Sequence, residues 1–248
     1  MGQKQKGGTI TLIIAEAAIE TVPDEISGHA AVKNHARRLG VKSSEILLDK
    51  SYHYAAMKKL EDGAKRGRPD IVHFALMEAL STPLFLGNKM RVYVHTVNDR
   101  IIAIADNLRI PKSYFRFEGL MVNLFRDRAV KSDEGTVLME LADGTFTELL
   151  ETVGAEKLVG LSTAGVKSTA EKVAGNCRDV ENCAFVVGGF PRGHFAESTT
   201  RQLGPVYSIS DVGLEAHVVI ARLVYECEKL LQEGVDHEGD KERGKVGA

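Results

Sequence analysis

Apolar residues along this chain alternate between short runs and helical spacing, and the changeovers outline its elements. Thr9–Glu16, rich in Ile, Leu and Thr and weakly alternating, predicts a strand. His29–Leu39 has helical spacing and is ended by Gly40, Glu45–Asp49 suggests a short extended piece, and Tyr52–Leu60 turns helical again. Gly63, Gly67 and Pro69 put the basic run between them on a loop. A helix begins at or just after Pro69, because proline suits a first helical turn, with Ile71, Phe74, Ala75 and Leu80 on its buried face. Met90–Thr96 and Arg100–Ala105 flank Val97-Asn98-Asp99 as a hairpin. Residues 109–125 pass from a proline-marked loop into a helix. Thr136–Leu141 and Thr145–Val153 give a strand, an Asp143-Gly144 turn and a helix.

From Lys157 the rhythm becomes regular: strand Leu158–Leu161, helix Ser168–Gly175, strand Ala184–Val187, a short polar helix near Ser198–Gln202, strand Val206–Ile209 and long helix Leu214–Gln232. That alternation predicts parallel βαβ units and so an α/β fold. Gly188-Gly189 closes the buried run Ala184–Val187, and Pro191 and Gly193 shape a tight loop after it. Glycines let a backbone approach a ligand where a side chain would collide, so a cofactor held by main-chain hydrogen bonds suits this loop. The same pattern also serves as a plain turn, and both readings stand. The last helix is apolar on more than one side, which suggests a second subunit against it. From Glu233 glycine and mixed charge take over, and 233–248 are expected to be a disordered tail behind one domain of residues 1–232.

Composition narrows the class. A chain of 248 residues with 44% hydrophobic and 27% charged residues is an ordinary globular protein. No apolar run reaches the roughly eighteen residues of a membrane span. The N-terminus, MGQKQKGG, leads into a strand without the pattern of a signal peptide. Three cysteines without paired spacing argue against a disulfide framework and against a zinc site, and they favour a reducing, cytoplasmic setting.

A net charge of −2 does not select nucleic acid, but its distribution is informative. Lys58, Lys59, Lys65, Arg66 and Arg68 form one basic stretch. Arg109, Lys112, Arg116, Arg126, Arg128 and Lys131 form another, mixed with Tyr114, Phe115 and Phe117. Arginine forks match phosphates and base edges, and aromatic faces stack on unpaired bases. Each lysine alone is a solvated helix position, and Phe115 and Phe117 also suit a core. Arg68, Arg109 and Arg116 stand apart, because they sit beside prolines or aromatics at loop–helix junctions. Asp70 either favours the start of its helix or takes part in chemistry. His53, His73 and His95 lack ligand spacing and read as structural; His194 lies in the glycine loop. No nucleophile-elbow, zincin, P-loop or dinucleotide-binding signature is present.

KRGRPDIVHFALMEAL (65–80), RVYVHT (91–96), RIPKSYFRFEGLMVNLF (109–125), VVGGFPRGHF (186–195) and YSIS…LEA (207–216) follow one another in order. Together they resemble the ribosome-biogenesis pseudouridine N1-methyltransferases of Emg/Nep type, SPOUT-class enzymes, in an archaeal-type form. The resemblance implies a SPOUT-type α/β knot, a deep C-terminal trefoil knot around a mainly parallel sheet, and a homodimer. RNA-facing elements would lie in 50–131 and the cofactor-binding knot in 157–232. It also implies an S-adenosylmethionine site, with S-adenosylhomocysteine as product, at Leu161, Ser162, Thr163, Ala164, Gly188, Gly189, Phe190, Gly193, Tyr207, Ser208, Ile209, Ser210, Leu214 and Ala216. Arg68, Arg109, Lys112 and Arg116 match positions used around small-subunit ribosomal RNA, with Asp70 and Arg68 nearest the chemistry. Small-subunit ribosomal proteins or assembly factors are further expected partners.

Two departures are visible: Arg192 and His194 flank Gly193 where His and Asp are expected, and no proline precedes Leu214 in Ser210–Gly213. An alternative function is an RNA-binding assembly factor whose methylation is dispensable or lost. A dinucleotide-dependent oxidoreductase lacks the spaced glycines and acidic ribose partner that it would need.

Overall fold

The computed structural model describes residues 8–243 apart from Asn107 and Asp179, with side chains as far as Leu231. The chain begins with β1 (Thr9–Ala17), followed by α1 (Asp24–Ser27), α2 (Ala30–Leu39), α3 (Lys50–Met57), α4 (Pro69–Ala79) and α5 (Pro83–Leu86). The hairpin β2 (Met90–Thr96) and β3 (Arg100–Ile104) leads to α6 (Tyr114–Asp127), β4 (Ala129–Lys131), β5 (Val137–Asp143) and α7 (Phe146–Val153). The last third is β6 (Lys157–Lys167), α8 (Ala170–Ala174), β7 (Asn182–Gly188), α9 (Glu197–Thr200), β8 (Val206–Ser208) and α10 (Ala216–Arg243).

All eight strands share one sheet in the order β4-β5-β3-β2-β1-β7-β6-β8. The stretch from β2 to β8 is parallel, and β3, β5 and β4 form an antiparallel flank. A strand buried on both faces must be apolar at every position, and β1 meets that demand. Leu12 and Ile14 join a core with Ile71, Leu76, Phe117 and Ile220. Ile13 and Ala15 point the other way, to Phe146, Leu149 and Val153 of α7. Helices α4, α6 and α10 therefore cover one face and α7 the other. A smaller cluster, including Val32, Leu48 and Met57, fastens α2 and α3 beside them.

The α/β alternation expected from the sequence is present, with several differences of detail. The β6 strand runs six residues past Leu161, to Lys167. The short edge strand β4 carries no pattern that would announce it. Of the extended piece expected at Glu45–Asp49, only Leu47 bridges, to Thr21. Residues 233–243, expected as tail, continue α10; Glu, Lys and Arg there are good helix formers and outweigh Gly234 and Gly239. Residues 244–248 lie outside the described residues. Cys177 and Cys183 form a disulfide with Cα atoms 5.4 Å apart, because a tight turn at Gly175–Cys177 returns the chain beside β7. The cysteine count therefore carries no argument for a reducing compartment. Cys227 stays a free, buried thiol. No helix among the described residues is long and apolar enough to cross a membrane.

Candidate active site

Parallel strands leave their carboxyl ends on one side of a sheet, where ligands commonly bind. Here Leu161 of β6 pairs with Val187 of β7 and with Tyr207 of β8, so three strand ends line up across neighbouring strands. Val166 pairs with Tyr207 as well. Residues 162–165 thus leave the ladder and return to the same partner, opening a cavity of about 360 Å³ between the excursion and the β7 and β8 loops. The return passes directly over β8: a methyl group on Gly165 would sit 2.6 Å from the Tyr207 carbonyl carbon. Only glycine fits that crossing.

Of the residues the resemblance assigns to a cofactor, Leu161, Ser162, Thr163, Gly188, Phe190, Gly193, Tyr207, Ser208, Ile209, Ser210, Leu214 and Ala216 line this cavity, and Ala164 and Gly189 do not. The glycine pair serves internal contacts. Gly188 leaves room for the Phe190 ring, and a Cβ on Gly189 would lie 2.8 Å from Ala17 Cα. Gly189 also exchanges hydrogen bonds with the end of β1 and the residue after it, donating to the Ala15 carbonyl and accepting from Ala18 N–H, both at 2.8 Å. Gly193 adopts φ +87° on the cavity wall, a conformation that glycine enters without cost. Arg192 lines the cavity as well, and exposed His194 places Nδ1 3.4 Å from Ser162 Oγ.

Arg68 lines the same cavity from the opposite direction. It precedes Pro69 at the start of α4, and its N–H donates to the Ala18 carbonyl at 3.1 Å. Its guanidinium donates twice to Asp70, which raises its own affinity for the proton above the usual arginine value. The start of α3 lies alongside, where Lys50 N–H donates to the Gly67 carbonyl. Asp49 caps α3 through Ser51 N–H and accepts the Tyr114 hydroxyl at 2.6 Å from the start of α6. His73 of α4 stacks on Phe117 and hydrogen-bonds the Pro111 carbonyl at 2.8 Å. The amino ends of α3, α4 and α6 are thereby held together. Asp49 and Asp70 place carboxylates at the amino ends of α3 and α4, where the helix dipole favours negative charge.

Arg109, Lys112 and Arg116 lie exposed on and beside α6, and among the described residues none has an ion-pair partner. Phe117 is buried completely, whereas Phe115 next to Arg116 is 72% exposed. His53, His73 and His95 are buried and hydrogen-bonded, as their spacing suggested.

Several residues at the site gave no recognisable sequence signal. Gly165 lies in an unremarkable strand, Asp49 in an unmarked loop, and Glu16 at the end of an apolar run. Lys65 reads in sequence as a solvated lysine, yet its amine is turned inward to Glu16 at 2.8 Å. A glutamate ending a buried strand was the one available hint, because a buried carboxylate needs a partner.

Residues 12–228 match the EMG1/NEP1 methyltransferase family. The Nep1 small-subunit ribosomal RNA methyltransferase of Thermococcus sibiricus is 40% identical over 184 residues, 74% of this chain and 83% of the relative. That of Staphylothermus marinus is 38% identical over 221 residues, 89% and 96% of the two chains. The crystal structure of Archaeoglobus fulgidus Nep1 bound to S-adenosylhomocysteine superposes with a TM-score of 0.79 at 36% identity, over 90% of this chain and 98% of that one. The chain belongs to the EMG1/NEP1 methyltransferase family.

Proposed function

We propose that this protein transfers a methyl group from S-adenosylmethionine to N1 of a pseudouridine in small-subunit ribosomal RNA. One observation carries the reading: Arg68, at the end of the basic loop, forms part of the same cavity wall as the β6, β7 and β8 ends. Family membership and the relatives' names support the methyltransferase and ribosomal RNA parts. The N1-pseudouridine part rests on the RPDI and RIPKSYFRFEGLM motifs.

The cavity fits the cofactor by its chemistry. Leu161, Leu214, Ala216 and Val219 offer apolar walls for a base, while Ser162, Ser208 and Ser210 supply polar groups for ribose and amino-acid parts. Glu215 adds a negative charge beside a site meant for a sulfonium cation. When bound, S-adenosylmethionine supplies a methyl group already activated on sulfur. The chain's own task is then to deliver the nucleobase and manage one proton. Pseudouridine carries at N1 an N–H that uridine lacks, and methylation requires its loss. Asp70 retains lone pairs beyond the two engaged by Arg68, and it accepts or holds that proton. Arg68 offsets negative charge growing on the ring carbonyls. Orienting the N–H toward the methyl donor is the larger part of its contribution. Arg109, Lys112 and Arg116 hold phosphates of a loop from which the base is turned out, and Phe115 offers it a stacking face.

We also assign to the protein one domain, which α10 carries past the expected boundary at 232, the threaded C-terminal path of its class, a cytoplasmic setting and a homodimer. The return of β6 over Tyr207 supports the threading. Exposed Phe74 on α4 and Tyr225 on α10, helices packed together, support the dimer. The test is transfer of labelled methyl to one short small-subunit RNA loop made with either uridine or pseudouridine. Label is expected in the pseudouridine RNA alone. Equal labelling of both, or none, sinks the reading.

A further inference from the structure

At the end of β1 the backbone breaks its rhythm. Glu16 takes φ +50°, a left-handed conformation unusual for a residue with a side chain, and the register with β2 slips between Ile14 and Ala17. Such local strain persists only where surrounding contacts hold it. The contacts here are specific. Glu16 is nearly buried, with 10% of its side chain exposed. Its Oε2 accepts from Lys65 Nζ at 2.8 Å, and its Oε1 accepts from Ala196 N–H at 2.6 Å. Lys65 Nζ donates as well to the His194 carbonyl and lies 4.5 Å from the centre of the Phe190 ring. Phe190 meets Phe195 edge to face at 5.7 Å, and both rings line the cavity.

These contacts join parts that are far apart in sequence. Glu16 sits at the end of β1, where its neighbours already bind the site's two halves: Ala15 and Ala18 hold Gly189 of the cofactor loop, and the Ala18 carbonyl holds Arg68. Lys65 belongs to the loop that ends at Arg68. We propose that Glu16 and Lys65 are a positioning pair that fixes the wall Phe190–Ala196 against the Arg68 loop, so that cofactor and target base meet in one alignment. This rests on the reading that the cavity takes S-adenosylmethionine. Neither side chain lines the cavity, so both act through the residues they hold.

The full-length variants Glu16→Gln, Lys65→Met and the pair combined test this by calorimetry with S-adenosylhomocysteine and by transfer kinetics. Each single change is expected to weaken binding roughly tenfold or more, because it leaves a largely buried charge without its partner. The double variant should lose less than the product of the singles, the mark of a coupled pair. KM for the cofactor should rise more than KM for RNA, and kcat should fall. Lys65→Arg should bind within roughly threefold of wild type, since it keeps the charge opposite Glu16. Glu16→Gly, which suits the left-handed turn, removes the carboxylate while sparing the backbone, and should bind as weakly as Glu16→Gln. Wild-type affinity in folded Glu16→Gln and Lys65→Met overturns the proposal, even where unfolding midpoints drop, since a purely structural pair would behave so. If the wild-type protein fails to bind S-adenosylhomocysteine at all, the cavity reading falls first and this proposal falls with it.

Discussion

The guanidinium of Arg68 meets both oxygens of the Asp70 carboxylate, Nε to Oδ1 at 2.8 Å and Nη2 to Oδ2 at 2.7 Å, with only Pro69 between them in the chain. This paired contact fixes the arginine plane at the mouth of the cavity. Lysine offers a single point of charge and cannot reproduce it. We expect Arg68→Lys to lower kcat by roughly ten- to a hundredfold with cofactor affinity little changed, as suits loss of an interaction made in the transition state. Asp70→Asn should lower kcat with saturating pseudouridine RNA. Unchanged turnover there excludes Asp70 from the proton's path.

Gly165 is the position where the β6 excursion closes over Tyr207. Its added methyl group would meet backbone at 2.6 to 2.7 Å, and backbone cannot step aside as a flexible side-chain tip could. Gly165→Ala should therefore cost about 1–3 kcal/mol of stability. It should also weaken S-adenosylhomocysteine binding, read by urea unfolding and calorimetry on the same preparation. Gly119 on α6, where an added Cβ meets nothing within 4 Å, serves as the control.

A buried histidine pair ties stability to pH. The Asp49 backbone N–H can only donate, so His53 Nδ1 accepts from it at 3.1 Å and the proton of neutral His53 sits on Nε2. That proton points at His35 Nδ1, 3.0 Å away, so His35 carries its own on Nε2. Adding a proton to either ring spoils one of these bonds. Burial, with the neighbouring His35, holds His53 down at about 4, and burial first, then Arg38, lowers His35; Asp49 opposes both shifts. A histidine whose pKa is depressed on folding binds its proton more readily when unfolded. Its contribution is complete above the unfolded value of about 6.5 and is lost as pH falls towards 4. We expect about 2 kcal/mol of stability to disappear over that window. Urea midpoints from pH 7.5 to 4.5 should fall less steeply in His53→Gln than in wild type.

The Cys177–Cys183 disulfide closes a short loop at the edge of β7. Loop-closure entropy for so short a segment gives roughly 2 kcal/mol. Reducing agent should lower the urea midpoint accordingly, and a Cys177→Ser, Cys183→Ser double variant should show no further response. An identical midpoint with and without reductant would leave the bond without effect on stability.

Much of this molecule could be read from its sequence because the signals are local. Apolar runs fix β1 and β7, Pro69 starts α4, Gly40 ends α2, and the Val97–Asp99 turn makes the β2–β3 hairpin. Motif likeness pointed to most of the cavity lining and to Arg68. Local pattern cannot say which distant residues share a turn, and folding alone decided that. It set Lys65 against Glu16 across 49 positions, sent β6 back over Tyr207, brought Cys177 to Cys183 and left Phe115 outside while burying Phe117. Periodicity constrains a residue's face within its own element; the partner met by that face depends on the order and crossing of strands, which no window of sequence contains.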